Sequence, residues 1–189
     1  MQPTSSTTTR SQILLLLGVT AIVLMVISQV WLRVSPVVML KLTWNSTHFL
    51  LGAGLALVVS LASTVVYRVW PSYRESANYY LDLILHPLVL PDLIWVGLLP
   101  GLSEELLFRG VMLPEFGLDW GGILLSSLCF GALHMTNWQH WAYVVWATLI
   151  GMAFAWSAVA TGNLLVPIVA HVLTNWISAI VWKSRQANV

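Results

Sequence analysis

The stretch ILLLLGVTAIVLMVISQVWL, residues 13–32, contains twenty consecutive residues without a charged side chain. An α-helix rises about 1.5 Å per residue, so twenty residues span about 30 Å, the thickness of the hydrocarbon core of a bilayer. The stretch is also longer than the apolar core of a cleavable signal peptide. We therefore predict that residues 13–32 cross a membrane as an α-helix.

The composition of the whole chain supports the same interpretation. Of its 189 residues, 58% are apolar and only 8% are charged, whereas soluble proteins carry about 25% charged residues. The formal net charge is +1, and no basic cluster is present, so we expect no nucleic-acid partner. The single cysteine, Cys129, can form neither a disulfide framework nor a cysteine-based zinc site. We predict an integral, multi-pass membrane protein in contact with lipid.

Five further apolar stretches follow the first along the chain. They lie at about 47–70, 91–113, 123–136, 140–160 and 164–182. The predicted fold class is therefore all-α, a polytopic transmembrane helical bundle of about six spans. An even number of spans places both termini on one side of the membrane. That side would hold Arg10, Arg68, Arg74, Lys183 and Arg185, against Arg33 and Lys41 on the other, which predicts cytoplasmic termini.

Ionisable side chains inside the predicted spans are the candidates for function, because burying them in lipid is costly. They concentrate in the third, fourth and sixth spans, whereas the other three carry almost none. The candidates are Glu104, Glu105, Arg109, His134, His171 and Asn175.

Helical spacing assigns these candidates to different roles. Glu105 and Arg109 lie four residues apart, so they share a helix face and can form an ion pair. Adjacent residues point about 100° apart on a helix, so Glu104 faces elsewhere and lacks this counter-ion. Glu104 is therefore the candidate general base or acid. His171 and Asn175 are also four residues apart and share a face.

A bundle that directs Glu104, His134, His171 and Asn175 into one cavity could activate a water molecule. A carboxylate and an imidazole can polarise the water for attack on a peptide carbonyl, and an imidazole and an amide can stabilise the oxyanion. Glu104, His134 and His171 could equally hold a divalent metal, zinc being the most suitable. The residues leave both chemistries open, with no cofactor or with one metal ion.

Three short motifs resemble those of the CAAX-processing and bacteriocin-processing (CPBP, Abi-type) family of intramembrane glutamic or metallo proteases. Glu104 to Arg109 is similar to the family's EExxxR motif. Phe130 to His134 is similar to its FxxxH motif, and His171 to Asn175 to its HxxxN motif. The order of the motifs and their placement on separate spans also match. The family includes the type II CAAX prenyl proteases.

The resemblance implies an intramembrane endopeptidase acting on membrane-associated or prenylated protein substrates. It implies that Glu104 activates water with help from His134, that His171 and Asn175 stabilise the oxyanion, and that Glu105 and Arg109 form a supporting ion pair. A homo-oligomer or a protein partner would complete the cavity of so short a chain. The expected organisation is a disordered tail (1–12), two transmembrane helices with an interfacial segment (13–90), a CPBP-like catalytic core (91–183) and a C-terminal tail (184–189).

Two alternatives from other classes stay open at this point. Glutamate and histidine side chains within a membrane also relay protons in transporters, although the chain shows no internal repeat. A catalytically silent scaffold could keep the same helices, because a fold does not determine its chemistry.

Overall fold

Residues 8–186 are described by a computed structural model. Within them the chain is helical and contains no β-strand. The α-helices are α1 (Arg10–Val34), α2 (Ser46–Val69), α3 (Pro71–Leu85), α4 (Leu93–Glu105), α5 (Leu113–Phe116), α6 (Trp120–Leu133), α7 (Trp141–Thr161) and α8 (Leu165–Gln186). A π-helix, Leu106–Met112, joins α4 to α5, and two 3-10 turns are Leu90–Asp92 and Trp138–His140. The predicted all-α bundle is confirmed.

The predicted count of about six spans is approximate, because four or five of the described helices meet the length and hydropathy of a membrane span. Within residues 8–186, four helices are long and apolar enough to cross a bilayer: α1, α2, α8 and the stretch Trp138–Thr161 that contains α7. A fifth is obtained if α3 and the stretch Leu90–Phe116, which meet at a bend of 107°, count as one span. Helix α6 has only 14 residues, about 21 Å of helix, which is too short to cross the hydrocarbon unaided.

The first helix begins earlier than its apolar stretch. Thr9 caps α1, and Arg10 is already helical, so the last residues of the predicted 1–12 tail belong to the helix; residues 1–7 lie outside the described part of the chain. The Arg10 guanidinium donates two hydrogen bonds of 2.7 Å to Asp92. This ion pair joins the start of α1 to the turn that precedes α4, and therefore sets the two helices parallel.

The end of α8 reaches the same end of the bundle. Lys183 Nζ donates to the carbonyl oxygen of Leu88 at 2.6 Å, four residues before Asp92. The Arg185 guanidinium lies 5.8 Å from the ring centroid of Tyr67 near the end of α2. The start of α1 and the end of α8 therefore lie at the same end of the bundle.

Helices α4 and α8 pack in close contact, which brings together the two helices that carry most of the candidate residues. A Cβ atom on Gly101 would lie 2.4 Å from Val172 Cγ2, and one on Gly97 would lie 2.2 Å from Trp176 Nε1. Only glycine fits at both positions without displacing side chains of α8. Small residues spaced four apart are a common device for such close approach between membrane helices.

Candidate active site

Glu105, Arg109 and His171 form a buried, hydrogen-bonded cluster at the centre of the bundle. Glu105 Oε1 accepts from Arg109 Nη1 at 2.8 Å and from His171 Nδ1 at 2.7 Å. The side chains of Glu105 and Arg109 are 0% exposed. The predicted ion pair between Glu105 and Arg109 is present. The structure adds His171 to it, because α8 approaches α4 so closely.

The Arg109 guanidinium is held by more than its acidic partner. Its Nη2 donates to the carbonyl oxygen of Gly151 on α7 at 2.9 Å, and its Cζ lies 4.3 Å from the ring centroid of Phe130 on α6. Arg109 lies in the π-helix. A π-helix has hydrogen bonds between residues five apart, and such segments frequently occur at functional sites. The arginine therefore ties α6, α7 and the π-helix together around Glu105.

Glu104 and His134 face each other at a distance that suits a bridging molecule. Glu104 Oε2 lies 3.8 Å from His134 Nε2, too far for a direct hydrogen bond. Within residues 8–186, Glu104 Oε2 is buried and has no hydrogen-bond partner. The other ring nitrogen orients the imidazole: His134 Nδ1 lies 2.9 Å from the Phe130 carbonyl oxygen. A carbonyl oxygen can only accept a hydrogen bond, so Nδ1 is the donor. Nδ1 thus carries the proton, and Nε2 of the neutral ring is an acceptor.

Asn175 is placed beside His171 but its amide already has a partner. Asn175 Nδ2 donates to the Val96 carbonyl oxygen at 3.4 Å. That carbonyl would normally accept from the backbone nitrogen four residues later, which here is Pro100 and has no N–H. Asn175 therefore satisfies a carbonyl that the proline leaves free, in addition to any role toward substrate.

The four predicted catalytic residues border one cavity of about 300 Å³. Glu104 comes from α4, His134 from the end of α6, and His171 and Asn175 from α8. Helix α3 covers part of the cavity with an apolar and aromatic face that includes Tyr73, Tyr80 and Ile84. The structure thus brings together all four residues, while Glu105 and Arg109 lie behind them.

The three candidate zinc ligands do not form a metal-holding group. Within residues 8–186, no set of three His, Cys, Asp or Glu side chains has the geometry to hold a metal ion. His171 donates through Nδ1 to Glu105 and keeps Nε2 free, an arrangement that metal-binding histidines also use, so this bond does not by itself remove His171 as a ligand. As placed in residues 8–186, however, Glu104, His134 and His171 do not supply the three converging protein ligands that a catalytic zinc centre needs.

Three residues of the cavity wall were missed by the sequence analysis. Thr174 and Ser178 line the cavity from α8, three and seven residues after His171, on the face that His171 and Asn175 share. Helical periodicity from His171 would have found both. Tyr80 on α3 donates to the His134 carbonyl oxygen at 3.0 Å. Because Tyr80 and His134 are 54 residues apart, no local pattern in the sequence predicts that they form a hydrogen bond.

Comparison with known proteins agrees with this geometry. Residues 86–177 match the family model described as type II CAAX prenyl endopeptidase Rce1-like. This part of the chain is an Rce1-like domain. The matched range contains all six candidate residues, so the resemblance read from the three motifs is confirmed at the level of the family. The long apolar helices and the family match together make the chain an integral membrane protein.

Two curated bacterial proteins resemble the chain. The uncharacterized protein YpbD of Bacillus subtilis strain 168 is 33% identical over 132 residues, which are 68% of this chain and 65% of that protein. An uncharacterized 24.3 kDa protein of Escherichia coli is 33% identical over 90 residues, 45% of this chain and 41% of that protein. The chain thus spans less than two thirds of either relative. No solved structure matches the chain.

Proposed function

We propose that this protein is an intramembrane endopeptidase that hydrolyses peptide bonds of membrane-associated or prenylated substrates. The observation that carries the proposal is the pair formed by Glu104 Oε2 and His134 Nε2, 3.8 Å apart at the wall of the cavity. A carboxylate oxygen accepts hydrogen bonds, and so does Nε2 of a neutral imidazole whose Nδ1 carries the proton. A water molecule between them would donate one proton to each and direct its oxygen lone pairs toward a substrate carbonyl.

The reaction balances with side chains alone. The water oxygen attacks the carbonyl carbon of the scissile peptide bond while Glu104 takes a proton from the water. The carbonyl oxygen becomes an oxyanion. When the intermediate collapses, the carbon–nitrogen bond breaks, and Glu104 returns its proton to the leaving nitrogen to give a carboxylic acid and an amine.

The oxyanion would be stabilised from the α8 side of the cavity. Because His171 Nδ1 donates to Glu105, Nε2 is the ring nitrogen left for the substrate, and it donates only when the ring is protonated. With His171 protonated, two carboxylates (Glu104 and Glu105) are balanced by two cations (Arg109 and His171), so the buried cluster is neutral. The Asn175 amide, one helical turn further, is the second proposed donor.

We further propose that the bundle end carrying the start of α1 and the end of α8 faces the cytoplasm. The structure places both helix ends beside the segment 88–92. The basic residues at this end are Arg10, Arg68, Arg74, Lys183 and Arg185. A bias of this kind marks the cytoplasmic side. Labelling of single cysteines placed after Arg185, in a Cys129→Ala background, with a membrane-impermeant reagent on sealed vesicles tests this orientation.

The activity is tested with purified protein in liposomes and a library of quenched fluorescent peptides, half of them prenylated on a cysteine. The wild type, Glu104→Gln and Glu75→Gln are compared. Glu75 is exposed on α3, so Glu75→Gln makes the same chemical change away from the cavity. We expect cleavage by the wild type and by Glu75→Gln, and a loss of about 10²- to 10⁴-fold in Glu104→Gln. Equal cleavage by all three would refute the assignment of Glu104.

A further inference from the structure

Thr174 carries a hydroxyl group whose surroundings are unusual for this protein. The hydroxyls of Ser103, Thr148 and Thr161 each donate to the carbonyl oxygen four residues earlier, at 2.7–2.9 Å. This back-bonding is the ordinary way for a serine or threonine to satisfy its hydroxyl within an apolar helix. Thr174 Oγ1 departs from it, being buried without any hydrogen-bond partner among residues 8–186.

A buried hydroxyl without a partner costs about 1–3 kcal/mol, and Thr174 Oγ1, unlike the similarly unpartnered Ser60 Oγ, borders the cavity, where a bound ligand can satisfy it. Thr174 is only 8% exposed and lines the cavity that also contains Glu104 and His171. It lies three residues after His171 on the same helix, which puts their Cβ atoms about 5–6 Å apart on one face. A group held between Glu104 and α8 would therefore meet the Thr174 hydroxyl beside the His171 ring.

Asn175 is less free than Thr174 to serve such a ligand. Its Nδ2 atom donates to the carbonyl oxygen of Val96, which Pro100 leaves without its helical partner. This bond uses one of the two Nδ2 hydrogens, so only the other remains for a substrate. The Thr174 hydroxyl gives up no protein hydrogen bond when it donates to a substrate.

We infer that Thr174 is a catalytic residue of this site, whose hydroxyl donates a hydrogen bond to the oxyanion formed from the substrate carbonyl, next to His171 Nε2. The inference rests on the proposed peptidase function and adds a donor to it. In this arrangement His171 and Thr174 contact the oxyanion directly. Asn175, the second donor proposed above, also satisfies the Val96 carbonyl oxygen that Pro100 leaves free.

The test measures kcat and KM for one peptide selected from the liposome library, with the wild type, Thr174→Val and Thr174→Ser. Valine has nearly the shape of threonine without the hydroxyl, and serine retains the hydroxyl. Ser60→Ala is the matched control, because Ser60 Oγ on α2 is also buried without a partner but does not line the cavity. Thermal unfolding of each variant in detergent shows that it remains folded.

Loss of an oxyanion donor lowers kcat by about 10²- to 10³-fold. We expect this loss in Thr174→Val with KM within about threefold of the wild type, while Thr174→Ser and Ser60→Ala keep kcat within about fivefold. A Thr174→Val variant with wild-type kcat, or with a change confined to KM, would overturn the oxyanion role. If that variant is unaffected while Glu104→Gln is inactive, the proposed peptidase stands and only the role of Thr174 fails; a wild type that cleaves no peptide overturns both.

Discussion

Replacing Arg109 by leucine should destabilise the fold strongly, and replacing Glu105 at the same time should restore much of the loss. Both side chains are 0% exposed, so Arg109→Leu leaves a buried carboxylate whose remaining hydrogen bond is the one from His171. Breaking a buried ion pair by removing one partner costs about 3–5 kcal/mol of unfolding free energy. We expect a cost of this size for Arg109→Leu and for Glu105→Leu.

The double variant Glu105→Leu with Arg109→Leu leaves neither charge unpaired. What remains is the loss of the acceptor for His171 Nδ1 and of the donor to the Gly151 carbonyl oxygen. Each single variant also loses one of these two bonds and in addition leaves a charge buried and unpaired, so the double variant should be more stable than either. Arg33→Leu provides the control, since Arg33 is exposed at the end of α1 and its loss should cost under about 1 kcal/mol.

The assay is reversible unfolding in mixed micelles by increasing fractions of sodium dodecyl sulfate, followed by circular dichroism. The coupling free energy is the cost of the double variant minus the sum of the costs of the two single variants. We expect it to be negative and larger in magnitude than either single cost, because the double variant should cost less than each single variant. Additive costs, or a cost under about 1 kcal/mol for Arg109→Leu, would show that the buried pair does not hold these helices together.

Two further predictions concern the elements that position the catalytic residues. Tyr80→Phe keeps the ring but removes the hydroxyl group that forms hydrogen bonds with the His134 carbonyl oxygen and Thr136 Oγ1. We expect kcat to fall about tenfold while KM changes little. A change in KM alone would contradict this positioning role. Gly101→Leu places a Cβ atom 2.4 Å from Val172 Cγ2. We expect the free energy of unfolding to fall by at least about 2 kcal/mol in the same assay. Unchanged stability would contradict the close packing of α4 on α8.

The sequence predicted those parts of the site that depend on spacing along one helix. Glu105 and Arg109 pair because they are four residues apart, and His171 and Asn175 share a face for the same reason. The predicted helices correspond to α1, α2, α4 with its continuation, α6, α7 and α8. Apolar periodicity and length suffice for these features, because a helix is determined by neighbouring residues.

Features that depend on contacts between distant residues could not be predicted. The Arg10–Asp92 pair joins residues 82 positions apart, and the bond between His171 and Glu105 depends on how closely α8 approaches α4. The tautomer of His134 follows from a backbone carbonyl that accepts from Nδ1. How the short α6 of 14 residues lies in a bilayer also depends on its packing against neighbouring helices, so hydropathy alone gives the count of about six spans only approximately.

The most direct test of the central claim is a double-mutant cycle on kcat with Glu104→Gln, His134→Ala and the variant carrying both changes, using one liposome-reconstituted peptide substrate. If the two side chains hold one water molecule between Glu104 Oε2 and His134 Nε2, 3.8 Å apart, they act as a unit, and residues that act as a unit show strongly non-additive losses. We predict that the double variant is no slower than Glu104→Gln alone. Losses that multiply, or a Glu104→Gln variant with wild-type kcat, would contradict the proposed mechanism.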